Sequence, residues 1–258
     1  MTATPPSSPP IVRPQKLAIV HFLGWMLGVG AVLAIYRAAT QLTEPTREVE
    51  LSQRLIQLGF GLAYGTAVSG LGLFLWRWWR GTGSGPTQPG HWLLVFGGIG
   101  LVIDVGVAAA VYAAVFFSRS GTDYGILPIR AWSYHQIIGW SLAALISSLV
   151  LIRMRAAWWW QVVVIVVLTM TIANLAASIL CVLGANGMFA GTWPYDISQF
   201  VRVAGALACV AAIGFAETCD RRQGHWRDWL HSVGLVMALS LASIDLAVQG
   251  YFLWLRWR

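Results

Sequence analysis

The chain has 258 residues, of which 57% are hydrophobic and only 10% are charged, and its mean hydropathy is +0.67. In soluble globular domains about a quarter of the residues are charged, so a lipid bilayer is the expected solvent. The formal net charge of +7 comes from sixteen arginines and one lysine, most of which lie between apolar runs. This pattern is typical of membrane-flanking anchors and not of a nucleic-acid-binding surface.

The first segment, MTATPPSSPPIVRPQK, is rich in proline and serine and carries too few apolar residues to bury a core. We therefore predict a disordered tail over residues 1–16. Residues 17–258 are predicted to form one multi-pass membrane domain. Its first apolar run, residues 17–36, is too long for the apolar part of a signal peptide and lacks a following small-residue cleavage site, so we expect it to remain as a membrane helix.

Seven apolar runs come near the roughly 20 residues that a helix needs to cross a bilayer. The intervals from Lys16 to Arg37 and from Arg54 to Arg77, for example, enclose 20 and 22 uncharged residues. The predicted spans cover residues 17–36, 55–76, 92–117, 133–152, 158–184, 198–218 and 229–254. The expected fold is all-α, a bundle of seven transmembrane helices joined by short loops.

The sixth run, residues 198–218, differs from the others in length. Only 14 uncharged residues separate Arg202 from Glu217, a distance typical of a re-entrant segment, and the bundle would then have six spans. If the Arg202 side chain snorkels to the membrane interface, however, the run reaches across the bilayer. On that ground we favour seven spans.

The ends of the runs carry most of the 15 tryptophans and the tight arginine clusters. Amphipathic indole rings suit the headgroup region, so these tryptophans are predicted to be interface anchors. Three arginine clusters (77/80, 153/155 and 221/222/227) fall on one side of a seven-span chain, although the total count is nine basic residues against eight. We therefore expect a plasma or inner cell membrane protein with a cytoplasmic N-terminus.

Two aspartates interrupt apolar runs, one in GGIGLVIDVGVAAAVY and one in LASIDLAVQGYF. A carboxylate at mid-bilayer costs about 2.5 to 3.5 kcal/mol on insertion scales, so each marks a candidate functional site. On a helix, Asp104 shares a face with Gly97, Gly100 and Ala108, and Asp245 with Ala238, Ala242 and Gln249. Because small residues let helices approach closely, both aspartates are predicted to face protein and not lipid.

The fifth run has a comparable polar stripe, formed by Thr171, Asn174, Ser178 and Cys181. In a seven-span bundle, spans three, five and seven run in the same direction, which brings Asp104, Asn174 and Asp245 to similar depth. We therefore predict a mid-membrane polar cluster of these three residues that binds a proton or a cation. The alternative is that each aspartate hydrogen-bonds to a neighbouring helix and fixes the packing.

No cofactor, metal site or catalytic motif is predicted from the sequence. The three cysteines show no C-x-x-C spacing, and haem or metal ligation by the histidines would require two of them on facing helices at matching depth. The only lysine, Lys16, excludes a retinal Schiff base in the last helix. In the second run Gly61, Gly65, Ser69 and Gly72 share a face that is predicted to pack against another helix.

Two classes of function remain. The first is a structural protein or a component of a membrane assembly, with the lipid bilayer, other membrane proteins or a second copy of the chain as partners. The second is a small proton- or cation-coupled transporter that uses Asp104 and Asp245. All extramembrane segments are short loops, so neither class includes a soluble catalytic domain, and an enzymatic role is not indicated.

Overall fold

A computed structural model describes residues 19–43, 51–80, 86, 88–117, 127–154, 156–186, 188, 193–225 and 227–258. Over these residues the chain is all-helical, with α1 (Ile19–Thr43), α2 (Leu51–Trp79), α3 (Pro89–Phe117), α4 (Leu127–Arg153), α5 (Trp158–Ala185), α6 (Trp193–Arg222) and α7 (Trp229–Trp257). The prediction of an all-α bundle of seven helices is confirmed. The predicted disordered tail, residues 1–16, lies outside the described residues.

Among the residues that the structure describes, six helices contain a stretch that is long and apolar enough to cross a membrane. The stretches are Arg54–Trp76, Pro89–Val107, Tyr134–Arg153, Trp158–Gly184, Trp193–Arg222 and Trp229–Arg256. The described apolar stretch of α1, His21–Ile35, is shorter. Large apolar side chains cover the outside of the bundle, and Leu27 and Ile152 are each 77% exposed, as a lipid environment requires. The chain therefore has the architecture of a multi-pass membrane protein.

Helix α6 is one continuous helix of 30 residues, about 45 Å long at 1.5 Å per residue. Asp196 lies in its first turn and Arg221 in its last, where the helix dipole favours charges of these signs. Arg202 does not mark the beginning of the helix but lies more than two turns inside it. The re-entrant alternative for residues 198–218 is therefore wrong. The number of uncharged residues between two charges underestimates the length of a helix when other helices of the bundle supply partners for those charges.

Helices α3 to α7 form a closed ring. Each packs against the next along the chain, and α7 returns to pack against α3. Helix α2 lies against both α3 and α7, and α1 packs on α2. We call the end of the ring where α3, α5 and α7 begin the proximal end, and the end where α4 and α6 begin the distal end. The ring encloses the space in which the candidate site lies.

Glycine permits two close helix contacts. A Cβ atom at Gly65 would lie 2.8 Å from the Val29 backbone nitrogen, and the Ser69 hydroxyl donates to the Gly24 carbonyl oxygen at 3.3 Å. These contacts show that Gly65 and Ser69 of the predicted packing face lie against α1, whereas a Cβ at Gly72 would meet no atom within 4 Å. At the proximal end, a Cβ at Gly234 would lie 2.7 Å from the Gly90 carbonyl carbon, so α3 and α7 cross with their backbones in contact.

The apolar core is concentrated toward the proximal end of the ring. Trp160, Val163, Ile213 and Ala216 pack together there, and each is at most 3% exposed. Farther toward the distal end, the ring interior contains space and polar side chains in place of close-packed apolar groups. The fold thus separates a packed end from an end that contains a cavity.

Candidate intramembrane binding cavity

A partly open cavity of about 420 Å³ lies among the helices, and every helix from α2 to α7 contributes side chains to it. Small-molecule sites usually measure about 300 to 1,000 Å³, so the cavity has the size of a ligand site. Its polar and charged wall is formed mainly by Asp104, His135, Gln136, Arg202 and Asp245. Its apolar wall includes Phe60, Phe96, Trp140, Met170 and Leu241.

Two of the three residues in the predicted polar cluster, Asp104 and Asp245, line this one cavity. Their small companions Gly97, Gly100, Ala238 and Ala242 line it as well. A Cβ at Gly100 would meet no atom within 4 Å, so at this position the small residue borders empty space and not a tight helix contact. The cluster's binding of a proton or cation remains a prediction.

Asn174, the third predicted residue, lies outside the cavity lining. It is 1% exposed, and its side-chain Nδ2 donates to the Met170 carbonyl oxygen of its own helix at 2.9 Å. Its Oδ1 is buried without a hydrogen-bond partner. Helix α5 packs against α4 and α6, which lie between it and the other two helices in the ring. Parallel direction gives spans a common depth but does not decide which of them are neighbours.

A chain of hydrogen bonds joins α3, α4 and α6 along the polar wall. His135 Nε2 donates to Asp104 Oδ1 at 2.8 Å, and Gln136 Nε2 donates to His135 Nδ1 at 3.5 Å. Gln136 Oε1 accepts from Arg202 Nη2 at 2.7 Å and from Trp140 Nε1 at 3.1 Å. Because two donors fix the orientation of the Gln136 amide, neutral His135 carries its proton on Nε2, toward Asp104.

Asp245 belongs to the same wall but is not part of this chain. Its Oδ1 accepts from Gln249 Nε2 at 3.1 Å, one turn along α7. Asp245 and Arg202 attract each other electrostatically, yet the ion pairs found among the described residues do not include this pair. Opposite charges therefore line one cavity without neutralising each other by direct contact.

The position of Arg202 differs from the snorkelling orientation considered for it above. Its side chain lines the cavity inside the bundle, where Gln136 supplies an acceptor and the Trp140 ring centroid lies 5.8 Å from the guanidinium carbon. An internal acceptor and an aromatic face make this inward orientation favourable. The prediction missed it because it treated the nearest membrane interface as the only partner for the guanidinium.

Apolar side chains border the cavity toward the proximal end. A second cavity of about 40 Å³ lies beyond them, lined by residues that include Pro89, Trp160 and Val163. Leu93, Phe96 and Val167 border both cavities and so separate them. Polar groups of the large cavity are thus kept apart from those at the proximal end by apolar side chains.

At the proximal end, two adjacent indoles and one guanidinium bind a single carboxylate; we call Trp159, Trp160, Asp220 and Arg227 the Trp-Asp cluster. Trp159 Nε1 donates to Asp220 Oδ1 at 2.9 Å and Trp160 Nε1 donates to Oδ2 at 2.7 Å. Arg227 donates to Oδ2 through Nε at 2.8 Å and also through Nη2. Asp220 is 1% exposed, so this charge is fully enclosed by donors.

The Trp-Asp cluster corrects part of the interface-anchor prediction. Trp158 is 60% exposed, as an anchor would be, but Trp159 and Trp160 are 6% and 1% exposed. An indole has one polar N–H group, and in both buried rings a carboxylate of the protein accepts its hydrogen bond in place of a lipid headgroup or water. The position of a tryptophan at the end of an apolar run therefore does not show whether its ring lies at the membrane interface or is buried beside a polar group of the protein.

The first turns of α3 and α7 cap each other. The Gly90 N–H in α3 donates to His231 Nδ1 at 2.9 Å, and the Asp228 N–H donates to Gln88 Oε1 at 3.1 Å. Asp228, the N-cap of α7, accepts from the His231 N–H at 2.9 Å and from His91 Nε2 at 2.9 Å. Groups that a helix leaves unpaired at its beginning are therefore satisfied by the neighbouring helix.

Potential metal ligands also occur at this end, where Glu217, Asp220 and His231 offer ligand atoms within 4.8 Å of one another. The hydrogen bonds do not fit a metal site. Both oxygens of Asp220 are already bound by the donors of the Trp-Asp cluster. His231 Nδ1 accepts a backbone N–H, so the neutral ring carries its proton on Nε2, the atom that lies 3.6 Å from Glu217 Oε2 and would have to bind the ion.

His91 and His231 meet the geometric condition set above for paired histidine ligands, since they lie in the first turns of adjacent helices. Each imidazole ring, however, already takes part in hydrogen bonding within the protein. His91 Nε2 donates to both Asp228 oxygens, at 2.9 and 3.1 Å, and its Nδ1 accepts from the Gln88 N–H at 3.4 Å. Both histidines therefore act as helix caps with fixed tautomers.

We expect the α7 cap to be sensitive to acid. Burial favours a higher pKa for Asp228, but hydrogen bonds from His91 and the His231 backbone, together with electrostatic attraction to these two imidazoles, lower the pKa overall. The carboxylate thus stabilises the fold above its unfolded pKa of about 3.9, and this contribution is lost as pH falls through the lowered folded-state pKa. Asp228→Asn should therefore be less stable than the native protein at pH 6, and the difference should shrink toward pH 2.

Thermal unfolding in detergent across this pH range, followed by circular dichroism, measures the difference. Asn keeps the capping oxygen, so Asp228→Ala should cost about 1 kcal/mol more at every pH. A difference between Asp228→Asn and the native protein that stays constant from pH 6 to pH 2 would contradict the role of the charge.

His135, Gln136 and Arg202 are cavity residues that the sequence analysis did not assign to the site. A signal for two of them exists: SYHQIIGW places a histidine and a glutamine inside the predicted span 133–152. A polar residue within an apolar run is the feature that identified Asp104. Near the beginning of a run, however, polar residues are ordinary, so the signal is weaker there than at mid-span.

The fold and the cavity together define a helical multi-pass membrane protein with charged side chains inside its bundle. The chain matches no protein-family model, no curated protein and no solved structure. The geometry of its own residues is therefore the basis for a functional proposal.

Proposed function

We propose that this protein is a small transporter that moves a solute through the cavity inside its bundle, coupled to a proton or cation that Asp104 and Asp245 bind. The observation that carries the proposal is the convergence of Asp104, His135, Arg202 and Asp245, from four different helices, on one cavity of about 420 Å³. Ionisable residues inside a membrane domain commonly mark a solute or ion pathway.

The arrangement of the charges favours binding over a purely structural role. Charges retained only for packing are best stabilised by direct pairing, because an unpaired charge in a low-dielectric interior is costly. Here the nearest acceptor of Arg202 is the neutral amide of Gln136, and the nearest donor to Asp245 is the neutral amide of Gln249. Both charged groups keep hydrogen-bonding capacity that a solute or ion in the cavity can use.

The Asp104 and His135 pair supplies a chemical basis for proton coupling. His135 Nε2 lies 2.8 Å from Asp104 Oδ1, so the imidazole donates its Nε2 proton to this carboxylate oxygen. An imidazole beside a carboxylate is a common proton carrier, because imidazole gains and loses a proton near physiological pH when its surroundings change, and the carboxylate orients it. Arrival of a charged solute in the same cavity is such a change.

Solute-driven proton movement in vesicles tests this function. Protein reconstituted into phosphatidylcholine and phosphatidylglycerol vesicles with trapped pyranine is exposed to a panel of amino acids, amines, carboxylates and sugars, with and without a sodium gradient. We expect at least one class to change the internal pH or to require sodium. Asp104→Asn and Asp245→Asn should reduce the rate at least tenfold.

The matched control is Asp196→Asn. Asp196 lies in the first turn of α6, pairs with Arg256 at 2.8 Å and is not among the cavity residues, so this variant should keep native flux. Equal loss in all three variants would indicate general destabilisation. Absence of flux for every class with folded native protein would contradict transport and favour the alternative, a structural protein or a component of a membrane assembly.

A further inference from the structure

We infer that the solute is a small zwitterion, a molecule that carries an ammonium and a carboxylate group on a short apolar frame. This inference rests on the proposed function, because it names the solute of the same cavity. It follows from one feature of the wall: a guanidinium and two carboxylates border a common space, and Arg202 forms no direct ion pair with either aspartate among the described contacts.

Arg202 is suited to bind the carboxylate of the solute. A guanidinium has five N–H donors in a planar fork, and the Gln136 Oε1 atom accepts from Nη2 at 2.7 Å. That bond and the Trp140 ring beside the guanidinium hold the side chain in place. The remaining donors can bind a carboxylate through two parallel hydrogen bonds, the arrangement in which arginine recognises such groups best.

Asp104 and Asp245 are suited to bind the ammonium group. His135 occupies Oδ1 of Asp104, and Gln249 occupies Oδ1 of Asp245, so each carboxylate keeps its second oxygen as an acceptor. The Asp104 side chain is 53% exposed and borders the cavity, so its carboxylate is accessible to a solute. An ammonium group here would compensate the charge of the aspartates, just as Arg202 would compensate the carboxylate of the solute.

Direct ionic contacts, and not the net charge of the cavity, distinguish a zwitterion from the simpler solutes. A simple amine would contact the aspartates and leave the guanidinium without a direct ionic contact, while a simple carboxylate would contact Arg202 and leave Asp245 without one. A zwitterion satisfies both at once. The aromatic and aliphatic wall, which includes Phe60, Phe96 and Leu241, then accommodates an apolar side group.

The test compares molecules that share a frame and differ only in charge. Binding of leucine, 3-methylbutylamine and 4-methylpentanoate to the full chain in detergent is measured by isothermal titration calorimetry. Tryptophan, tryptamine and 3-indolepropionate form the second set. We expect the zwitterion of at least one set to bind at least tenfold more tightly than its amine and its acid.

Substitutions at Arg202 and Asp245 test which charge of the solute each residue binds. Arg202→Gln should remove the preference for the zwitterion over the amine, while amine binding stays within twofold, and Arg202→Lys should recover only part of the preference. Asp245→Asn should remove the preference over the acid. Arg256→Gln, which alters a guanidinium outside the cavity, should leave all affinities within twofold.

The outcomes separate this inference from the proposed function. Amine binding as tight as zwitterion binding, unaffected by Arg202→Gln and accompanied by solute-dependent proton movement, would overturn the zwitterion and leave the transporter in place. No binding by any of the six molecules would also overturn the zwitterion. If no class in the vesicle panel moves protons or requires sodium either, the transporter itself is contradicted.

Discussion

Replacing Asp220 with leucine is expected to lower the free energy of unfolding by about 3 to 5 kcal/mol, the usual cost of removing one partner from a buried charge pair. The change leaves the Trp159 and Trp160 N–H groups buried without an acceptor and deprives Arg227 of its carboxylate. Reversible unfolding in mixed micelles, followed by circular dichroism, measures the loss. Trp160→Phe should cost less in the Asp220→Leu background than in the native protein, because its acceptor is then already absent.

The control for this effect is Arg221, which lies next to Asp220 on the same helix. Glu217 pairs with Arg221 at 2.9 Å, but the Arg221 side chain is 80% exposed. Exposed i, i+4 pairs contribute at most about 1 kcal/mol, so Arg221→Gln should have a small effect. If Asp220→Leu costs no more than Arg221→Gln, the Trp-Asp cluster does not stabilise the proximal end.

Gly139→Leu is expected to reduce solute binding and solute-driven proton movement at least tenfold while leaving the protein folded. Gly139 lines the cavity, and a Cβ there would meet no atom within 4 Å. The leucine side chain therefore extends from a cavity-lining position into the space where the solute would bind. Removing a helical glycine also favours the helix by up to about 1 kcal/mol, so the melting temperature should be unchanged or higher.

Gly214→Leu provides the matched control. Gly214 is also helical, a Cβ there also meets no atom within 4 Å, and it is exposed on α6 outside the cavity lining. Calorimetric titration of both variants with the solutes that the native protein binds makes the comparison. Native affinity in Gly139→Leu would show that the solute binds elsewhere.

The helices could be predicted from the sequence because a bilayer imposes both length and hydropathy on every span. The boundaries are less well determined, since α4 begins at Leu127 and α6 at Trp193, each several residues before the predicted span. A helix can extend beyond its apolar run, because the polar residues at the membrane interface can also be helical. Hydropathy therefore identifies the membrane-embedded part of a helix and not its ends.

The candidate site could be predicted only in part. Asp104 and Asp245 were identifiable because a carboxylate far from both ends of an apolar run has few structural explanations. The order of spans attributes Arg202 to the interface and places Asn174 with the aspartates, because neither helix adjacency nor the inward direction of a side chain follows from that order. The packing of α3 against α7 that closes the ring includes the backbone contact of Gly90 and Gly234, and this contact does not follow from the order of spans either.

The bond between Asp104 and His135 also bears on how the chain enters the membrane during synthesis. Asp104 is translated first, and its partner on α4 follows 31 residues later. Inserted alone, α3 would carry an unpaired carboxylate at a cost of about 2.5 to 3.5 kcal/mol, whereas α3 and α4 inserted as a hairpin bring the partner with them. Asp245, near the end of the chain, reaches the membrane only after Arg202 is in place, so the order of synthesis delivers each later charge to a bundle that already contains its counterpart.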